Sequence, residues 1–274
     1  MPVTPEVVGN KADAVFYASG AEAPVVSINY LDGTKLPTPL ETKILVPGPK
    51  GSLLEHRMPK GQVIPAHRFA HDFINTVVRG RLAVTLAGRQ YEGTDKDGWS
   101  GAPGVEVSLE ALEDTVLLEW MSPPHLVAGD RLITWGAVSP NDSHIFNRWA
   151  DVETFVMWQV EGETEFGPPG LDVEHNMRVL IPGPNGSVFW NSHKKGKWAL
   201  HTHHHHWICY LIKGQMKEKF GGTQEHTCMP GDVWAAQGGA LHCTEAMEDN
   251  EIFEFKWPAP MLWRGIIHSW EPKT

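Results

Sequence analysis

The sequence predicts an all-β protein built from two tandem copies of one β domain. Three observations carry that prediction: an internal repeat, short alternating runs separated by turn formers, and the lack of any sustained helical period. The repeat is the firmest. Residues 43–58 read KILVPGPKGSLLEHRM and residues 178–193 read RVLIPGPNGSVFWNSH, an offset of 178 − 43 = 135. The segments EALEDTVLLEW (110–120) and EAMEDNEIFEF (245–255) repeat at the same offset. With one residue deleted, His67 stands opposite His201 and Gly80 opposite Gly214. So many separated matches point to a duplicated domain. The two copies are expected at 1–149 and 150–274, with the turn-rich stretch 136–148 connecting them.

Within each copy the apolar runs are short and rich in β-branched and aromatic residues: Val116–Trp120, Phe155–Val160, Trp207–Ile212 and Glu251–Trp257. Pro182-Gly183-Pro184, Gly221-Gly222, Pro230-Gly231 and Gly238-Gly239 punctuate them, as turns between strands do. No window of about a dozen residues keeps a 3.6-residue period with caps. Many evenly spaced short strands suggest a sandwich or a barrel, and the pattern alone does not separate the two.

Composition narrows the function. The chain has 274 residues, 23 basic and 33 acidic, for a net charge of −10. Excess acid disfavours binding to nucleic acid or to an anionic membrane surface. No apolar run approaches the 18 or so residues needed to span a bilayer. Met1-Pro2-Val3-Thr4-Pro5-Glu6 has neither the basic nor the apolar part of a signal peptide. Three cysteines, Cys209, Cys228 and Cys243, cannot all pair within one chain, so a reducing compartment and a cytoplasmic location are expected. There is no Gly-x-Ser-x-Gly, phosphate loop, dinucleotide fingerprint or paired Cys-x-x-Cys. The acidic runs Glu161–Glu165 and Glu245–Glu251 read as solvated strand ends.

The histidines distinguish the copies. The first holds five of the fifteen and the second ten, five of them in His201-Thr-His203-His-His-His206. On a strand, residues i and i+2 share a face, so His201 and His203 form a ready pair for a transition metal. His242, after the turn Gly238-Gly239, is the candidate third ligand.

These residues resemble the two motifs of the cupin superfamily. His201-x-His203-x3-Trp207-x6-Gly214 keeps the spacing of the first motif, with Tyr210-Leu211-Ile212 as its apolar strand. Gly231-x5-Gln237-x-Gly239-x2-His242 keeps the spacing of the second, with Gln237 in place of the usual Pro. The motifs cover residues 201–242, and the repeat extends the resemblance to nearly the whole chain. It implies a bicupin, two jelly-roll β-barrels in one chain, with a metal held by His201, His203 and His242.

The departures are informative. Where cupins usually place a Glu ligand this chain has Trp207. His205 or His206 would serve as a fourth ligand if the strand bulges; a solvated run for His204–His206 is the preferred reading. The first copy offers His67, Phe69, Phe73 and Val107 at the four ligand positions and is read as structural, or as a wall or dimer surface.

Three neutral imidazoles leave a metal its full charge and, on an octahedral ion, about three open positions. A chelating substrate and O2 can then bind side by side. Cupins with three His and no Glu resemble dioxygenases, which favours Fe(II) and oxidation of a small enol, diketone or hydroxy-aromatic acid. Zn, Mn or Ni serving as a Lewis acid in a lyase or isomerase is the first alternative. A binding module without chemistry is the second. Tyr210, on the motif strand, is a candidate proton donor, against a barrel-wall aromatic. Trp190, Trp198, Trp207 and Trp234 are candidate walls for an apolar pocket. Cys209 shares strand parity with His203, but a buried structural thiol is the commoner outcome. A homodimer through exposed strand edges is open.

Overall fold

The computed structural model describes residues 15–46, 52–121, 126–128, 130–133, 144–159, 170–182, 186–198, 200–203, 205–221, 224–257, 261–263 and 266–268. Outside them lie His204, residues 47–51 and 183–185 in and beside the two Pro-Gly-Pro segments, residues 136–143 of the expected connector and the acidic run 161–165. Among the described residues the chain is all-β, and its only helical turn is the 3-10 segment Trp149–Asp151. Among the described residues, no helix is long and apolar enough to cross a membrane.

The chain divides into two compact units, Ala23–Val152 and a second made of Glu153–Thr274 with the N-terminal segment up to Glu22. Each unit contains one nine-stranded and one four-stranded sheet. In the first, Ser52–Met58 lies between Thr34–Val46 and Thr115–Met121. In the second, Ser187–His193 lies between Gly170–Ile181 and Asn250–Trp257. The repeat is exact in register: Met58 faces Thr115, and His193 faces Asn250, each 135 residues further on. His67 pairs with Val107, and His201 forms a bridge with His242, at the expected equivalent positions.

The glycines matched in the repeat do the same work. Gly80 has φ +101°, and an added Cβ would stand 2.6 Å from the Asp114 carbonyl oxygen. Gly214 has φ +85°, with the Asp249 carbonyl oxygen 2.5 Å from that position. Only a residue without Cβ takes that backbone conformation and that close approach at low cost.

The interiors of the two units differ. In the first, Phe69, Phe73 and Val107 are buried in a continuous apolar cluster with Leu54, Val84 and Leu117. Burying each large apolar side chain stabilises by about 1.5–3 kcal/mol. In the second, the face of the large sheet that carries Trp207, Cys209 and Trp234 also carries the buried Asn191, His193 and Lys256 and the half-buried Glu254. Polar groups placed there must find partners within the fold.

The strand Val15–Ala18 pairs antiparallel with Val233–Ala236 and so joins the large sheet of the second unit. This stretch lies within the 1–149 span that the repeat assigns to the first copy. Asp232 fastens it, accepting hydrogen bonds from the Tyr17 hydroxyl at 3.0 Å and the Gly20 backbone N–H at 2.8 Å.

Candidate metal centre

The three histidines of the motif converge. One nitrogen of each of His201, His203 and His242 lies within 4.8 Å of the others, and all three residues are buried. The convergence is not produced by strand alternation. His201 makes an isolated two-way backbone bridge to His242, with N···O distances of 2.8 and 2.9 Å. The regular strand begins only at His206. His203 is fixed instead by its carbonyl, which accepts the Gly239 N–H at 2.7 Å. The turn that the sequence marks as Gly238-Gly239 thus holds both His203 and the approach to His242.

The geometry fits a metal. Two nitrogens ~2.1 Å from one ion are ~3.0 Å apart at a right angle and ~3.4 Å apart at a tetrahedral angle. Nε2 of His201 and Nε2 of His203 are 3.2 Å apart. The Nδ1 of His242 lies 3.2 Å from the Ala240 carbonyl. A proton on Nδ1 satisfies that carbonyl and leaves Nε2 as a lone pair, the orientation a second-shell partner gives a ligating imidazole. Burial, and then the neighbouring His201, hold His203 and His242 well below the ordinary imidazole pKa, so both rings are neutral near pH 7. Neutral imidazole is the ligating form.

The other motif residues fall into place around the triad. Trp207, at the position of the usual carboxylate, packs its ring 4.8 Å from His242 and lines the cavity. His205 is fully buried and stacks on His203 at 4.7 Å. That corrects the expectation of a solvated run: the segment crosses the barrel before strand geometry begins, so alternating exposure does not apply to it. His205 is not among the converging ligand atoms. His206 is half-buried, and its Nδ1 accepts the Gly238 N–H at 3.2 Å. Tyr210 is buried but is not brought to the cavity; it alternates with Cys209 and Leu211, which face the barrel interior. Trp198 and Trp234 line the cavity. Trp190 points away and donates to Glu251 at 3.1 Å. Cys209 also lines the cavity, but burial pushes its thiol well above the usual range, which leaves it protonated.

The cavity beside the triad has a volume of about 70 Å³. Its far side is polar and was not read from the sequence. Asn191 Nδ2 donates to Glu254 at 3.0 Å, and Lys256 Nζ lies 3.1 Å from the same carboxylate oxygen. The Asn191 carbonyl oxygen then accepts from His175 Nε2 at 3.2 Å, so His175 carries its proton there. His193 Nδ1 contacts the Asn250 side-chain oxygen at 2.7 Å. Burial lowers both imidazoles, His193 to about 4. The available signal was the alternation of Asn250, Ile252, Glu254 and Lys256 on one strand face. A charged residue on a strand is usually solvent-facing, which hides that signal.

In the first unit the equivalent place is closed by side chains. The ring of Phe69, where the second unit has His203, meets His67 edge-on at 4.7 Å and packs on Phe73 at 4.9 Å. His67 Nδ1 is satisfied by the Pro65 carbonyl at 2.9 Å.

No protein-family model matches the chain, and no curated protein matches it by sequence. Solved structures do match in fold. Oxalate decarboxylase of Lactobacillus farciminis, in a formate complex, superposes with a TM-score of 0.63 at 13% identity, over 90% of this chain and 87% of that one. A deletion mutant of Bacillus subtilis oxalate decarboxylase gives 0.63 at 12% identity, over 92% and 79%. AerE from Microcystis aeruginosa gives 0.61 at 9% identity, over 88% and 98%. The architecture is therefore a tandem cupin-type β fold. At these identities the likeness speaks for the fold alone.

Proposed function

We propose that the second unit is a metalloenzyme centre that binds one divalent transition-metal ion through His201, His203 and His242 and acts on a small chelating substrate. The observation that carries this reading is the convergence of three buried imidazoles, a group that includes no carboxylate among the described residues. A neutral ligand set leaves the ion's charge uncompensated, and that charge polarises a chelated substrate. Burial holds the His203 and His242 rings neutral, and Trp198, Trp207 and Trp234 line the cavity beside them.

The Fe(II)- and O2-dependent oxidation of an enol, diketone or hydroxy-aromatic acid is the form of the reading that the three-His set favours. A second form has specific support. The fold neighbours include oxalate decarboxylases, one described by the Mn(II) centres of the Bacillus subtilis protein, which favours a non-redox lyase using Mn as Lewis acid. Metal analysis of the purified chain, followed by O2 uptake with a diketone and hydroquinone panel and CO2 release with small dicarboxylic acids under nitrogen, separates them. Iron with O2 uptake supports the first form. Manganese with O2-independent CO2 release supports the second. A chain that takes up neither metal refutes the centre.

A further inference from the structure

Among its described lining residues the cavity beside the triad holds one lysine, Lys256, and it is nearly completely buried at 2% exposure. Burying an ammonium is costly unless its donors are satisfied. A lysine has three N–H donors. Among the described residues, the Glu254 carboxylate forms an ion pair with it at 3.1 Å, the ring face of Phe189 lies 5.3 Å from Nζ, and no further acceptor contacts it.

Glu254 is itself shared, because Asn191 also donates to the carboxylate oxygen that Lys256 approaches. The ammonium is thus held in place by a partner that does not exhaust it.

We propose that Lys256 is a substrate-specificity residue: its Nζ binds the anionic group of a small carboxylic acid whose second donor atom faces His201, His203 and His242. Glu254 and Asn191 are the positioning residues for that ammonium. This assignment rests on the metalloenzyme reading above and narrows its substrate class to chelating acids.

The test uses the full chain loaded with Co(II), with glycolate as probe and its neutral amide, glycolamide, as the matched control. Affinities are read by calorimetry and by the cobalt absorption bands. The Lys256→Met variant is expected to weaken glycolate by about tenfold to a hundredfold, the span of one hydrogen bond to a charged group. Glycolamide affinity and cobalt content stay unchanged. Glu254→Gln is expected to do the opposite and tighten glycolate binding, because it releases the ammonium from its internal partner. Where Lys256→Met alone does not fold, the double variant with Glu254→Gln removes the whole pair and reads the same loss.

Equal preference for glycolate over glycolamide in wild type and Lys256→Met overturns the proposal, as does wild-type protein that binds neither. Failure of the metal reading is seen separately, as absence of cobalt uptake by wild type. In that case the same glycolate titration of the metal-free chain decides the role of Lys256.

Discussion

Acidification is expected to destabilise the metal-free second unit steeply. In the folded chain His175, His193, His203 and His242 resist protonation because they are buried, while in the unfolded chain each titrates near 6.5. Below that value the unfolded state binds more protons than the native state, so stability rises with pH and is lost as pH falls. For His193, with a folded pKa of about 4, the loss begins near pH 6.5 and continues down to about pH 4, at about 1.4 kcal/mol per pH unit. Between pH 6.5 and pH 5 that is about 2 kcal/mol from His193 alone. Three further rings held low by burial act in the same direction, and the His193 loss alone is a sizeable share of the 5–15 kcal/mol of a typical domain.

Urea unfolding of chelator-treated protein at pH 7.0 and 5.0 measures the loss directly. His193→Gln keeps a polar contact to Asn250 but cannot charge, and should reduce the pH-dependent loss by about 2 kcal/mol, a difference in titration between two forms of one site. Stability that is flat between pH 7 and pH 5, or a His193→Gln variant with an unchanged slope, would refute the reasoning.

Further predictions concern the ligands, the turn and the N-terminal strand. His203→Ala should lose bound metal and the stabilisation metal confers, about 2.7 kcal/mol at a hundredfold excess over Kd, while His67→Ala should keep both; elemental analysis and thermal melts with and without chelator check this. Gly214→Ala puts a Cβ 2.5 Å from the Asp249 carbonyl in a left-handed conformation, and should cost at least about 1–2 kcal/mol in urea unfolding; a neutral result would mean the turn relaxes freely. Asp232→Ala removes the acceptor for Tyr17, Gly20 and the Met229 N–H. It should cost about 3–5 kcal/mol, at about 1.5–3 per charge-assisted bond and less than additive, and should release residues 15–22 to hydrogen exchange; unchanged protection there would count against Asp232 as the fastening of that strand.

The duplication was legible because both copies spell the same turn and strand residues at a constant offset, and constant offset becomes identical register. The triad positions were legible because His201, His203 and His242 stand at a recognisable spacing, although the bridge that joins them is not the regular strand that the spacing suggests. The polar side of the cavity was not legible. Glu254 and Lys256 look like ordinary outward residues of an alternating strand, and only the closure of sheet on sheet shows that their face is the interior. His205 was misread for a related reason: local alternation says nothing about a segment that crosses a barrel. Nor does any local pattern reveal that Val15–Ala18 pairs with Val233–Ala236, since pairing across that distance is a property of the tertiary fold.

That pairing has a consequence for how the chain is made. Tyr17 and Asp232 are 215 residues apart. A ribosome adding about 5–20 residues per second needs about 10–40 s to cover that separation. Throughout that interval Val15–Ala18 has been synthesised but has no partner, while the intervening unit, Ala23–Val152, can already close. When Val233–Ala236 emerges, it stands next to the outermost position of its sheet, and until the waiting strand docks it is a bare edge open to any other extended segment. A strand translated long before its partner therefore acts as the last shield applied, and a nascent chain lacking Val15–Ala18 would leave the edge of Val233–Ala236 bare.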